Sequence, residues 1–210
     1  MEQNVHLILI DNQLYVLQKN LMWVKDLNFP KFNENPLMLN RWLSFLPSNF
    51  TEIIAAYQRP SGDLVLLIDK LIYVIKIPSF DLRYRMRYET LNINALNNEK
   101  INGIIHTNKG KTYIFYEDIY YVEINECSFT KEAIGYVHNL FPGAPTGFRS
   151  VFQFNNGNLY FMKQNKIYEY NDISKTLVGV RNLDLSEFGF NCPNIGILSQ
   201  LYKILEQYLK

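Results

Sequence analysis

Phe148-Arg149-Ser150-Val151-Phe152-Gln153, Leu159-Tyr160-Phe161-Met162 and Lys166-Ile167-Tyr168-Glu169 are three short runs joined by polar turns, around Asn156-Gly157-Asn158 and Gln164-Asn165. Runs rich in aromatic and β-branched residues, bounded by Gly and Asn, read as antiparallel strands linked by tight hairpins, because those turn residues tolerate positive φ. The same pattern occurs three times upstream. Residues 5–10 are followed by 14–17 and 21–24, residues 53–58 by 64–67 and 71–74, and residues 101–106 by 112–115 and 119–122. Tyr15, Val65, Tyr113 and Tyr160 occupy one aligned position at intervals of 50, 48 and 47 residues, and Trp23, Tyr73, Tyr121 and Tyr168 repeat in the same register. The first turn of each copy carries Asp11-Asn12-Gln13, Ser61-Gly62-Asp63, Lys109-Gly110-Lys111 or Asn156-Gly157-Asn158.

Three hairpin-linked strands in a period near 48 residues leave about 20 residues per copy, enough for a fourth strand and a short helix. That is the anatomy of a propeller blade. A solenoid repeats at shorter intervals, and a sandwich has no reason to repeat its aromatics in register. The fold expected is all-β: a four-bladed β-propeller with short inter-blade helices, its blades at about 4–50, 51–98, 99–145 and 146–193. Residues 39–47 and 137–145 read as matching linkers, each with a short helix stopped by proline. Residues 185–193 close the last copy, and the linker at 91–100 lacks the proline. In residues 194–210, Ile197, Leu198, Leu201, Leu205 and Tyr208 fall on one face at helical spacing. They predict a C-terminal amphipathic helix, packed on the protein's own outer blade or on a partner.

The bulk numbers exclude several classes. With 21 Lys and Arg against 20 Asp and Glu, the net charge is +1, so no global field draws the chain to nucleic acid, which is disfavoured as a partner. The first apolar run is too short for a signal peptide or a membrane span, which predicts an intracellular, cytoplasmic protein with no membrane partner. Cys127 and Cys192 make neither a disulfide framework nor a metal spacing. His6, His106 and His138 lie outside any nucleophile motif, and the sequence has no phosphate-binding glycine loop, HExxH or EF-hand. No catalytic residue and no cofactor is expected.

Ile53-Ile54-Ala55-Ala56-Tyr57-Gln58 with the Gly62 turn, Leu140-Phe141-Pro142-Gly143-Ala144-Pro145, and Gly157-Asn158-Leu159-Tyr160-Phe161-Met162 together resemble the hemopexin-like repeat family. The family's repeat usually opens Ile-Asp-Ala-Ala-Phe, its linker reads Phe-Pro-Gly-Leu-Pro, and its strand reads Gly-x-x-Tyr-Phe-Phe. The resemblance covers residues 5–193, clearest in copies two and four. It implies a four-bladed propeller acting as a non-catalytic binding module. It also implies a central channel in which the family holds ions through main-chain atoms.

Two candidate sites follow. At the position of the family's opening Asp stand His6, Ile54, Asn102 and Arg149, which would line the channel. They supply one fixed positive charge and no carboxylate, which disfavours calcium and leaves water or an anion. The second is residues 81–89, where period-two alternation places Arg83, Arg85 and Arg87 on one face of the outer strand of blade two. Such a row guards an exposed edge or grips an acidic protein partner. The function expected is binding or scaffolding through the propeller's faces and edges, alone or as a homodimer. The alternatives are a carrier of a small ligand such as haem or a polyamine, the ligands of similar family members, and a structural component of a larger particle.

Overall fold

A computed structural model describes residues 5–10, 12–26, 28, 36–50, 53–68, 71–87, 100–154 and 156–182. The expected C-terminal helix at 194–210, Cys192, and nearly all of the linker 91–100 lie outside the described residues. The described strands form four four-stranded antiparallel sheets. Blade 1 holds β1 (Val5–Ile10), β2 (Gln13–Gln18), β3 (Leu21–Asp26) and β4 (Leu37–Met38), followed by the one-turn helix α1 (Leu39–Trp42). Blade 2 holds β5 (Ile53–Gln58), β6 (Leu64–Ile68), β7 (Leu71–Lys76) and β8 (Asp81–Arg87). Blade 3 holds β9 (Ile101–His106), β10 (Thr112–Tyr116), β11 (Tyr120–Ile124) and β12 (Lys131–Tyr136), followed by α2 (Val137–Leu140). Blade 4 holds β13 (Ser150–Gln153), β14 (Leu159–Lys163), β15 (Lys166–Asn171) and β16 (Thr176–Asn182). The innermost strands close a ring: β1 and β9 each touch both β5 and β13.

Each blade turns one apolar face to the blade before it and the other to the blade after it. Tyr15, Leu17 and Met22 of blade 1 meet Leu64, Leu66 and Tyr73 of blade 2. Val65, Leu67 and Val74 meet Ile114, Tyr116 and Val122 of blade 3. Tyr113 and Phe115 meet Leu159, Phe161 and Tyr170 of blade 4. The last joint, between blades 4 and 1, packs Tyr160, Met162 and Ile167 against Leu7, Val16 and Trp23. Tyr15, Val65, Tyr113 and Tyr160 thus all face the following blade, as their alignment requires.

The second aligned row holds at three positions and fails at one. Trp23, Tyr73 and Tyr168 face the preceding blade, but Tyr121 faces the following one, edge-on to Tyr113 at 5.5 Å. The reason lies in the turn before it. Gln18 pairs with Leu21, Ile68 with Leu71 and Lys163 with Lys166 across two-residue turns, whereas Tyr116 pairs with Tyr120 across three residues. Glu117 and Asp118 in that turn both have positive φ, 47° and 65°. One extra residue exchanges the two faces of the strand that follows, so Val122 takes the place expected for Tyr121.

The linkers are short, as their prolines suggest. The first residues of α1 and α2 donate their backbone N–H to Asn20 and Ile119 carbonyls, each at 2.8 Å, docking each helix on the second hairpin of its own blade. Beyond α2, Phe141 is fully buried and joins a knot of rings. Phe161 sits at its centre, with ring centroids 4.9 Å from Phe148, 5.6 Å from Phe141, 6.1 Å from Tyr170 and 6.2 Å from Phe115. Phe161→Ala should cost about 3–5 kcal/mol of stability, because the rigid strands around it cannot collapse into the void. Urea unfolding of the variant checks this; a loss below about 1 kcal/mol would show that the joint between blades 3 and 4 is loosely packed.

Candidate functional site

At one end of the innermost strands, the four residues at the family's Asp position behave in two ways. His6 is buried, and its ring Nε2 lies 2.9 Å from the carbonyl of Ile53. Asn102 is buried too; its side-chain nitrogen donates to the Phe148 carbonyl at 2.9 Å and to Asp118 Oδ1 at 2.8 Å. Ile53 and Phe148 are each the opening residue of the next repeat. The polar side chains at this position therefore stitch blade 1 to blade 2 and blade 3 to blade 4. Ile54 is the bulged residue of β5 and packs against the joint between blades 2 and 3. Arg149 is half-buried just ahead of β13, its backbone N–H donating to Met162. The pairing of β9 also skips Asn102. Bulges re-aim side chains, and period-two reasoning on the sequence has no way to register them.

The other end of the ring opens into a cavity of about 370 Å³. Its walls are the last residues of β1, β5, β9 and β13, with Leu9, Tyr57, Ile105 and Phe152 at one level and Gln58, His106 and Gln153 at the next. Three hairpins stand around it. Gln58 pairs with Leu64, His106 with Thr112 and Gln153 with Leu159, each across five residues, while Ile10 pairs with Gln13 across two. The long turns share one conformation. In each, the fourth residue is a glycine with positive φ, Gly62 at 84°, Gly110 at 74° and Gly157 at 77°, whose N–H donates to the first residue's carbonyl at 2.9 Å. Those glycines were legible in the sequence as turn residues; that their hairpins wall a cavity was not.

One polar knot braces this mouth between blades 2 and 3. Arg59, a cavity-lining residue, donates from Nε to Glu126 Oε2 at 2.8 Å, from Nη1 to the Tyr84 hydroxyl at 2.8 Å, and from Nη2 to the Glu126 carbonyl. Its guanidinium lies 4.9 Å from the Phe129 ring centre. Glu126 also accepts from the Thr112 hydroxyl and, at 3.4 Å, from Tyr57. Burial, followed by the Glu126 charge, pushes the Tyr57 hydroxyl well above its ordinary range. Burial lowers His106, with Glu126 pulling the other way. His106 Nδ1 lies 2.8 Å from Thr112 Oγ1.

The arginine strand, β8, is the outer strand of blade 2. Its alternation breaks at a bulge: Val74 pairs with Tyr84 and Ile75 with Leu82, leaving Arg83 unopposed. Arg83 and Tyr84, neighbours in sequence, consequently both reach the 59–63 hairpin. Arg83 pairs with the buried Asp63 at 2.7 Å, and Tyr84 binds Arg59. Arg85 is exposed. Cys127 is a free, exposed thiol. Among the described residues, no group of three or more potential metal ligands is found, and no helix is long and apolar enough to cross a membrane.

No family model matches the sequence, and no curated protein matches it. Solved structures do match. A hemopexin-fold protein from cow pea aligns at TM-score 0.68 and 14% identity, covering 84% of this chain and 92% of its own. A 2S albumin seed protein from Dolichos aligns at 0.70 and 14%, covering 88% and 96%. A plant albumin from Cicer arietinum showing hemagglutination aligns at 0.68 and 13%, covering 87% and 93%. At such identity the likeness speaks to fold alone: the chain has the four-bladed hemopexin fold.

His6 also makes the ring sensitive to acid. Burial, partly offset by the Ile53 carbonyl, lowers its pKa from 6.5 to about 4. Between those values the unfolded chain binds a proton that the folded chain refuses. Stability should therefore fall as pH drops from 6.5 towards 4, by roughly 3 kcal/mol for this group alone. His6→Asn, the residue blade 3 uses, removes that titration. Urea unfolding of both proteins at pH 7 and pH 4.5 should show the smaller loss in the variant; equal losses would mean that His6 titrates normally in the fold.

Proposed function

We propose that this chain is a non-catalytic binding protein that holds a small ligand in the wide mouth of its central channel. The observation that carries this is the mouth itself: about 370 Å³, within the range of small-molecule sites, and walled in comparable measure by apolar side chains and by polar groups, among them Gln58, Arg59, His106 and Gln153. The hemagglutination of the Cicer arietinum albumin supports a binding role for the fold, and the sequence supplies no catalytic motif against it.

A thermal-shift series with a neutral sugar, a primary amine, a carboxylate and haem tests the proposal, because a ligand of the native state raises the melting temperature as its occupancy rises. At least one class should raise it, and Gln153→Trp, which fills the mouth, should abolish the rise. A shift that survives Gln153→Trp, or no shift with any class, would overturn it.

A second reading is favoured by β16. Leu177, Val178 and Val180 on this outer strand are 36%, 56% and 45% exposed among the described residues, and an exposed apolar edge invites pairing with a protein partner or a second copy. Under this reading Val178→Lys with Val180→Lys should leave the melting temperature within a few degrees and abolish self-association seen by sedimentation. A native protein that is monomeric at every concentration would remove the homodimer form of the idea.

A further inference from the structure

We infer that the channel mouth takes a neutral, hydroxyl-bearing ligand, a sugar unit by chemistry, held by three hydrogen-bond acceptors at one aligned position of three blades: Gln58, His106 and Gln153. This rests on the channel-mouth reading and names its ligand class.

The acceptor character follows from where the protons are. Thr112 has one hydroxyl proton and donates it to the Glu126 carboxylate, which only accepts. Its oxygen is therefore an acceptor towards His106 Nδ1, 2.8 Å away, so the ring carries its proton on Nδ1. Nε2 is left as a bare lone pair, with no partner among the described residues. The two glutamines are held in the same sense. Gln58 Nε2 donates to the Gly62 carbonyl at 3.1 Å, and Gln153 Nε2 donates to Asn108 and, at 3.3 Å, to the Gly157 carbonyl. Their amide oxygens are the ends without a partner among the described residues. Three blades thus offer acceptors, with the donors of His106 and Gln153 already spent and one of Gln58's two N–H groups held by the Gly62 carbonyl, so a ligand that brings protons fits best.

Charge then narrows the class. Glu126 and Arg59 form an ion pair at 2.8 Å that also engages Thr112, Tyr57 and Tyr84, so the two charges neutralise each other and the pair brings no net charge to the mouth. Burying an ammonium or an anion beside such a pair is costly, whereas a hydroxyl needs only an acceptor. The walls Leu9, Ile105, Phe152 and Phe154 suit the apolar face of a sugar ring.

Saturation-transfer NMR and calorimetry with glucose, galactose, mannose and N-acetylglucosamine test this, with butylamine and acetate as the charged probes. At least one sugar should bind the native protein. His106→Leu and Gln58→Leu should each weaken it about 3- to 10-fold, the loss of one net hydrogen bond, while His106→Gln, which keeps an acceptor, retains part of the affinity. Melting temperatures confirm that each variant is folded, and Gln58→Leu tests the collar should His106→Leu unfold. Sugar binding indifferent to all these variants overturns the inference. Butylamine or acetate bound at the mouth with no sugar bound overturns it while leaving the mouth as a binding site; no probe bound at all overturns both.

Discussion

A four-stranded sheet whose two faces are both apolar is stable only when sheets cover it on both sides, and this chain consists of four such sheets. No blade has a solvent face to fall back on. Closing the ring is therefore what makes every blade tenable, and the joint between blades 4 and 1 packs Trp23 and Val16 against Tyr160 and Ile167. The composition follows from this constraint. Fifteen Tyr and fourteen Phe in 210 residues supply large side chains that fill the wedge between sheets splaying outward from an axis, which smaller aliphatic residues would leave open. The ring knot around Phe161 is the densest instance, and the linker residue Phe141 is drawn into it because the outer part of a wedge is the widest to fill.

Polar groups inside such a ring need partners, and three of them find partners across the joints. His6 and Asn102 hold carbonyls of the next repeat, and Arg59 with Glu126 ties blade 2 to blade 3. These contacts order the blades relative to one another where apolar packing alone tolerates sliding. Breaking one partner would leave a buried group unsatisfied, so the stitches act as register devices more than as net sources of stability.

The repeat, the blade number and the face of Tyr15, Val65, Tyr113 and Tyr160 were readable in the sequence because strand periodicity and turn glycines are local signals. Three features were not readable, and each has a physical cause. Tyr121 changes face because the turn before it draws in Ile119, a register shift that leaves the spacing from Tyr113 the same as in the other copies. Ile54, Asn102 and Arg83 sit at bulges, where two residues oppose one and alternation no longer assigns a side. The mouth cavity is assembled from four segments about 48 residues apart, and its polar residues, Gln58, His106 and Gln153, look like ordinary strand ends until the ring places them side by side.

The departures from fourfold symmetry bear most on function. Inside the joints the four repeats are held to similar shapes by packing, but at the mouth they are free to differ, and they do. Blades 2, 3 and 4 raise five-residue hairpins of one conformation and end their inner strands in Gln58, His106 and Gln153, while blade 1 ends in Ile10, which pairs with Gln13. Three long hairpins and one short turn therefore stand at this end of the ring, and under the proposed reading a ligand meets the polar residues of blades 2, 3 and 4 there. The short turn of blade 1 joins its strands as well as the long ones do, so closing the ring does not by itself call for the longer hairpins. The hairpins with Gly62, Gly110 and Gly157 stand at one end of the ring, and the space beside them is what the proposed ligand would occupy.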